Sequence, residues 1–389
     1  MAEDTKKEYL CKKDKPLSDS RMPHPPLPVS RLAIQNPKTT MDYKHYTDEA
    51  VSLLRRLIAT PSVSRDEGKA ADVMETYMER CGLKPHREAN NVWAIDPEYD
   101  ERRKTILLNA HIDTVKPVSS WSRDPFEPVE EGGKLYGLGS NDCGGGLVSL
   151  LQAFRILTQR RRDHNLIYLA SAEEEVSGKD GISRVLPLLP PVDAAIVGEP
   201  TGMQPAIAEK GLMVIDATAR GKSGHAARNE GVNAICEALD DLLWLRDYRF
   251  EKVSPLLGPV KMSVTVIQAG TQHNVIPDVC KFIIDVRTNE LYRNEEVFAV
   301  ISDHVRSELK ARSFRLGSSG IPLSHPLVAR CTAMGMTPFG SPTLSDQALM
   351  PFPSMKLGPG QSERSHSANE FIYIEEIEKA IETYVRLLG

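Results

Sequence analysis

Three consecutive glutamates, Glu173, Glu174 and Glu175, follow the apolar run "LIYLA" at 166–170. Like charges packed this closely repel, so a positive partner must hold them. Three other apolar runs also end in reactive side chains. "ILLNA" runs into His111 and Asp113, "AAIVG" into Glu199, and "SMKLGPG" into a loop that carries His366. A fifth candidate, Asp142, stands in the glycine-rich "GLGSNDCGGG" at 137–146. Two histidines and three carboxylates form a nitrogen and oxygen donor set that suits zinc, cobalt or manganese, and two ions rather than one. Charge agrees with this: two divalent ions bring +4, Asp142, Glu175 and Glu199 supply −3, and a hydroxide completes the balance. A dinucleotide-binding reading of the glycine-rich segment fails, because Asp142 occupies the third glycine position of GxGxxG and would oppose a pyrophosphate. A thiolate ligand at Cys143 is disfavoured, since the adjacent aspartate already fills that place.

The elements that must position these groups are legible in outline. Apolar residues at helical spacing (Val51, Leu53, Leu54, Leu57, Ile58) predict a helix over 44–59, and others follow at 67–81, 145–160 and 375–388. "TILLNA" (105–110), "NLIYLA" (165–170), "DAAIVG" (193–198) and "PSMKLG" (353–358) read as buried strands. This alternation predicts an α/β sheet covered on both faces, and such sheets bind ligands beyond the carboxyl ends of their strands. Residues 212–287 read differently, as longer strands interleaved with helices at 231–246 and 294–310. They suggest a small α+β domain inserted at 211–319 into a larger domain built from 41–210 and 320–389.

Residues 1–40, rich in Lys, Pro and Ser, read as a disordered extension or leader ahead of a natural-looking start at Met41. The chain has 389 residues, a net charge of −5 and 26% charged residues. These values speak against a nucleic-acid binder, and no apolar run approaches the roughly 18 residues that span a bilayer. Six scattered cysteines without a CxxC pair read as reduced thiols, which predicts a cytoplasmic protein.

At these positions the chain resembles the two-zinc amidohydrolases that include acetylornithine deacetylase, succinyl-diaminopimelate desuccinylase, aminoacylase-1 and glutamate carboxypeptidase. The resemblance spans 41–389 and rests on "HIDTV" (111–115), "GLGSND" (137–142), "AEEEVSG" (172–178), "VGEPT" (197–201), "GKSGHAA" (221–227), "NVIPD" (274–278), "DVR" (285–287) and "GPGQSERSHSANE" (358–370). It implies a three-layer, zinc-aminopeptidase-like α/β catalytic domain with an inserted α+β lid and dimerisation domain. His111 and His366 would each bind one zinc (Co2+ or Mn2+ being the other fitting ions), Asp142 would bridge them, and Glu175 and Glu199 would complete the two ligand sets. Asp113 would orient His111. Glu174 would be the general base. His225 would reach the site of a partner subunit and hydrogen-bond the developing oxyanion. Asn274 and Arg287 would contact the substrate carboxylate, with Ser345 in a substrate-facing segment. In two places the chain departs from the family's usual wording: Leu138 replaces a frequent Arg, and Cys143-Gly144 a frequent Met-Lys. The family's peptide bond after this aspartate is typically cis. The "SPTLSDQALM" segment (341–350) is unusual too, and Arg228 and Arg364 are spare cations that could meet a succinyl carboxylate.

The implied activity is hydrolysis of an N-acyl amino acid, N-acetylornithine to ornithine and acetate in arginine biosynthesis. N-acetylcitrulline, an N-succinyl amino acid or a dipeptide would need the same chemistry. An inactive dimeric scaffold is the reading from another class, and the intact set of five ligands plus Glu174 argues against it. The implied partners are a small-molecule substrate and a second copy of the chain, with neither nucleic acid nor membrane.

Overall fold

The computed structural model describes residues 42–228 and 230–389, so the expectation of disorder over 1–40 lies outside the described residues. Residues Tyr43–Gly389 form one compact unit. Its main sheet runs, strand beside strand, Pro85–Glu88, Asn91–Ile95, His164–Ser171, Lys104–His111, Ala194–Val197, Ser354–Lys356, Ala206–Glu209 and Ser319–Gly320, with Phe339–Ser341 also pairing with Ala206–Glu209. Lys104–His111 is parallel to both His164–Ser171 and Ala194–Val197, and Ser354–Lys356 is parallel to Ala194–Val197. These four strands point the same way, so the side chains that follow them emerge at one edge.

The near-continuous apolar runs follow from cover on both faces. On one face lie the helices Lys44–Ile58, Gly145–Leu157 and Ile374–Leu388, which pack on one another. Every residue of Gly145–Leu157 except Arg155 is buried. A helix apolar all round belongs inside a protein, and each large side chain such as Phe154 gains about 2 kcal/mol by leaving water. The helix lies so close to the sheet that a Cβ on Gly146 would sit 1.8 Å from the Gly198 carbonyl oxygen, which only glycine permits. On the other face Ile182, Val185 and Met350 cover Leu107, Ile167, Leu169 and Val197.

A second, four-stranded antiparallel sheet has the order Lys261–Ala269, Val279–Thr288, Gly211–Arg220 and Glu308–Ala311. Its own core joins Ile215, Phe282, Ile284 and Val286 to the helices Ala234–Asp247 and Asn294–His304. Here one expectation is corrected: the helix predicted over 294–310 stops at His304, and Glu308–Ala311 is a strand. The cause is distant in sequence. The buried Asp241 carboxylate accepts from Arg306 N, Ser307 N and Ser307 Oγ at 3.0, 2.9 and 2.6 Å, which takes up the amide donors that a continuing helix would use. The sheet edge formed by Gly211–Arg220 then captures Leu309 and Ala311.

Candidate metal centre

His111 ends its strand 2% exposed. Its Nδ1 lies 2.8 Å from the Asp113 carbonyl oxygen, which can only accept. The proton therefore sits on Nδ1, and Nε2 presents a lone pair. Facing that lone pair are Asp142 Oδ1 at 3.3 Å, Glu199 Oε1 at 3.7 Å and Glu174 Oε2 at 4.0 Å. The other Asp142 oxygen faces His366 Nε2 at 3.6 Å, and Glu175 Oε2 lies 3.0 Å from the same nitrogen. Asp142 thus stands between two imidazoles, each with a glutamate of its own.

Two donors bound tetrahedrally to one zinc ion at 2.0–2.1 Å stand about 3.3 Å apart, so these separations fit ligands of shared cations. Glu199 Oε1 is buried and has no hydrogen-bond partner, as expected of an atom awaiting a cation. The donor set therefore fits the implied pair of ions, with His111, Asp142 and Glu199 on one side and His366, Asp142 and Glu175 on the other. The protein alone supplies too little positive charge. Burial, then the nearby Asp142, pushes Glu199 up to about 8, and burial raises Glu174 well above the ordinary carboxylate range. His366 rises to about 9, chiefly through its hydrogen bond to Glu175. Cys143 Sγ takes the backbone N–H of His111 at 3.2 Å, and burial pushes its thiol up. Two groups, His111 with Asp142 and Glu175, and His111 with Cys143 and Glu199, lie close enough to hold an ion, and it is the Asp142 carboxylate that faces both imidazoles. The Asp142–Cys143 peptide bond is cis, the isomer implied by the resemblance.

Backbone geometry sorts the three glutamates. Glu174 and Glu175 open a short turn bracketed by left-handed residues Glu173 (φ 54°) and Ser177 (φ 44°). Asp113 holds this turn: its carboxylate accepts from Glu174 N at 3.0 Å, Glu175 N at 3.2 Å and Ser64 Oγ at 2.7 Å, and it lies 3.5 Å from His111 Nδ1. Asp113 therefore sets both His111 and the two glutamates. Glu173 takes no part in the cluster: its N–H donates to the buried Glu67, and its Oε2 accepts from Asp180 N.

The remaining expected site residues lie elsewhere. His225 is exposed, its Nδ1 accepting from Ala227 N at 3.1 Å, and its strand residue pairs with Val275. Asn274 is its exposed neighbour, whose carbonyl accepts from Ala226 N. No hydrogen bond or ion pair among the described residues joins either one to the cluster. The fork of Arg287 is filled by Asp285, at 2.8 and 3.1 Å. Arg364 is held bidentately by Glu376 and stacks on Phe371, while Arg228 is exposed near Glu230. The expected substrate contact of Ser345 is corrected: the residue is 1% exposed and its hydroxyl donates to Glu209. Asp346, next in sequence, is likewise buried and accepts from Ser171 Oγ at 2.6 Å.

Several supporting residues escaped the sequence reading. Buried Lys356 pairs with buried Glu209 at 3.1 Å and donates to Thr343 O and Oγ1. A lysine inside the apolar run "PSMKLG" was the available signal. Glu370 and Asn141 tie the Asp142 loop to the His366 loop, and both stand inside quoted motifs without an assigned role.

Residues 107–389 match the peptidase family M20/M25/M40. Over 374 residues the chain is 29% identical to the acetylornithine deacetylase of Proteus mirabilis (strain HI4320), covering 87% of this chain and 95% of that relative. Among solved structures, aminopeptidase PepT from Bacillus cereus ATCC 10987 superposes with a TM-score of 0.71 at 18% identity, covering 88% of this chain and 98% of that one. The YXEP protein of Bacillus subtilis, a dinuclear metal binding peptidase, superposes with a TM-score of 0.67 at 19% identity, covering 89% and 98%. Those two likenesses establish the fold, and the family match extends over the residues that build the cluster. This chain therefore belongs to peptidase family M20/M25/M40 and is a metal-dependent amidohydrolase.

Proposed function

We propose that the chain hydrolyses the amide of an N-acyl amino acid, N-acetylornithine to ornithine and acetate in arginine biosynthesis, at a site for two zinc ions. One observation carries the reading: Asp142 stands between His111 and His366, with Glu199 and Glu175 flanking and Glu174 beside them. The similarity to an acetylornithine deacetylase supports the choice of substrate. The described cysteines are free thiols, which supports a reducing compartment such as the cytoplasm. No helix among the described residues is long and apolar enough to cross a membrane.

Bound divalent ions supply Lewis-acid polarisation of the scissile carbonyl and acidification of water. Glu174, its side chain 10% exposed and facing His111, takes the proton from the attacking water and delivers it to the leaving amine. Asp113 keeps the His111 lone pair aimed and fixes the backbone from which Glu174 projects. The low-dielectric surroundings strengthen each of these interactions.

Residues 211–319 form, in this reading, an inserted lid through which two copies pair. The strand Lys261–Ala269 lies at a sheet edge and exposes Val264, Val266 and Ile267. The neighbouring helix exposes Ile235, Leu239 and Leu243, one helical turn apart. An unpaired edge beside an apolar stripe is what a second copy covers. Such pairing would carry His225 towards the partner's cluster.

The test is a panel of N-acetyl- and N-succinyl-ornithine, N-acetylcitrulline, diaminopimelate derivatives and dipeptides, run with metal content measured before and after chelation. The expected result is the highest kcat/KM on N-acetylornithine, abolished by chelator and restored by Zn2+. Metal-independent turnover, or none on any acyl amino acid, refutes the proposal.

A further inference from the structure

Glu370 precedes the strand Phe371–Tyr373, is 2% exposed, and has no part in the chemistry above. Its carboxylate gathers three backbone N–H groups from one loop. Gly139 N donates to Oε2 at 3.2 Å, while Asn141 N and Asp142 N donate to Oε1 at 2.8 and 2.9 Å. That loop needs an outside acceptor. Asp142 (φ −116°, ψ 99°) and Cys143 (φ −117°, ψ 35°) leave helical geometry, so no regular ladder takes up these donors. Only a carboxylate offers enough acceptor directions, since a carboxamide turns a donor towards at least one of the N–H groups.

The reverse contact is equally specific. The Asn141 side chain donates to Gln361 O and accepts from Gln361 N, both at 3.0 Å. The segment that delivers Asp142 and the segment that delivers His366 are thus fastened to each other from both sides.

We propose that Glu370 is a positioning residue for metal capture and catalysis: by fixing the backbone from Gly139 to Asp142, it aims the Asp142 carboxylate between His111 and His366. The inference rests on the reading of Asp142 as the shared ligand. A partner of this kind, one bond removed from the ligands, is worth roughly 10–100-fold in metal affinity or turnover.

The experiment compares the parent with Glu370→Gln and Glu370→Asp. Each protein is stripped with chelator, checked for fold by circular dichroism, and titrated calorimetrically with Zn2+ alone. Each is then reconstituted with Co2+ for its visible spectrum and assayed on the best substrate of the panel. We expect Glu370→Gln to lose roughly 10–100-fold in Zn2+ affinity and a similar factor in kcat, with KM nearly unchanged and an altered Co2+ spectrum. Glu370→Asp, which keeps the carboxylate, should recover part of each loss. A folded Gln variant with the parent's Zn2+ affinity, Co2+ spectrum and kcat overturns the inference, as does one in which only the melting temperature falls. If the Gln variant does not fold, the Asp variant decides: shifted affinity and spectrum support the inference, and parental values overturn it. A parent that takes up no Zn2+ overturns the two-ion reading as well, whereas a two-ion parent with an unaffected variant overturns this inference alone.

Discussion

The His111–Glu199 cluster and the His225–Asn274 turn hold their polar side chains in opposite ways. In the cluster, His111 is buried, the four carboxylates keep only a small part of their surface in water, His366 closes the site from the exposed side, and Asp113 fixes the turn that carries two of the glutamates. At His225 and Asn274 the side chains are exposed, one on the two-residue strand Gly224–His225 and the other just before its partner strand Val275–Ile276. In the proposed reading, one half of the machinery is assembled within the fold as a donor set that fits cations. The other half, on the same reading, takes its surroundings from a second copy of the chain. Burial also explains why Glu174 and Glu199 are pushed up, since removing a carboxylate from water favours its neutral form.

Substitutions can separate the two halves. The largest effect belongs to the cluster. Glu174→Gln should lower kcat about 10²–10⁴-fold while metal content by atomic absorption stays at the parent's value; comparable turnover would remove Glu174 from its role. Next comes the exposed half. His225→Ala should cost about 10²–10³-fold in kcat, as loss of an oxyanion donor does, without loss of metal. Mixing that variant with Glu174→Gln should then restore about a quarter of parental activity, because half the reassorted dimers carry one intact site. No recovery on mixing would mean that His225 serves its own chain or none.

A smaller effect should appear at Asp346, which burial raises to about 6 in the absence of metal. A carboxyl whose folded value lies above its unfolded one, near 3.9, stabilises fully below the unfolded value and loses that contribution as pH rises through the folded one. For the chelated protein, Asp346→Asn should therefore change the unfolding free energy little at pH 4 and raise it at pH 7.5 by an amount on the order of 2–3 kcal/mol, read by denaturant unfolding at each pH. An equal effect at both pH values would contradict the assignment. Smallest in stability is Leu239→Glu on the exposed stripe, which should stay within about 0.5 kcal/mol yet turn a dimer into a monomer by analytical ultracentrifugation. A dimer that persists would move the interface elsewhere.

The sequence made some of this visible and hid the rest for physical reasons. Four apolar runs, each ending in His, Glu or Asp, were readable because strand direction alone brings such termini to one edge. Helices at 44–59 and 145–160 were readable from periodicity, and the structure has them at Lys44–Ile58 and Gly145–Leu157. What failed depends on partners far along the chain. Ser345 looks like a solvent-facing loop hydroxyl until Glu209 is brought beside it, and the strand at Glu308–Ala311 exists because Asp241 stops a helix 65 positions later. Glu370 stood in a quoted motif, but its role depends on which amides lack acceptors, a property of tertiary geometry.

The Glu209–Lys356 pair has one more consequence. Glu209 sits where the chain leaves the main sheet for the second, and Ser319, where it returns, donates to the same carboxylate at 2.8 Å. Outward and homeward crossings are thus moored to a single ionic post. Neutralising either partner would strand a charge in an apolar interior at about 3–5 kcal/mol, and it would unmoor both crossings together, along with the Gly358–Gly360 bend that leads on towards His366.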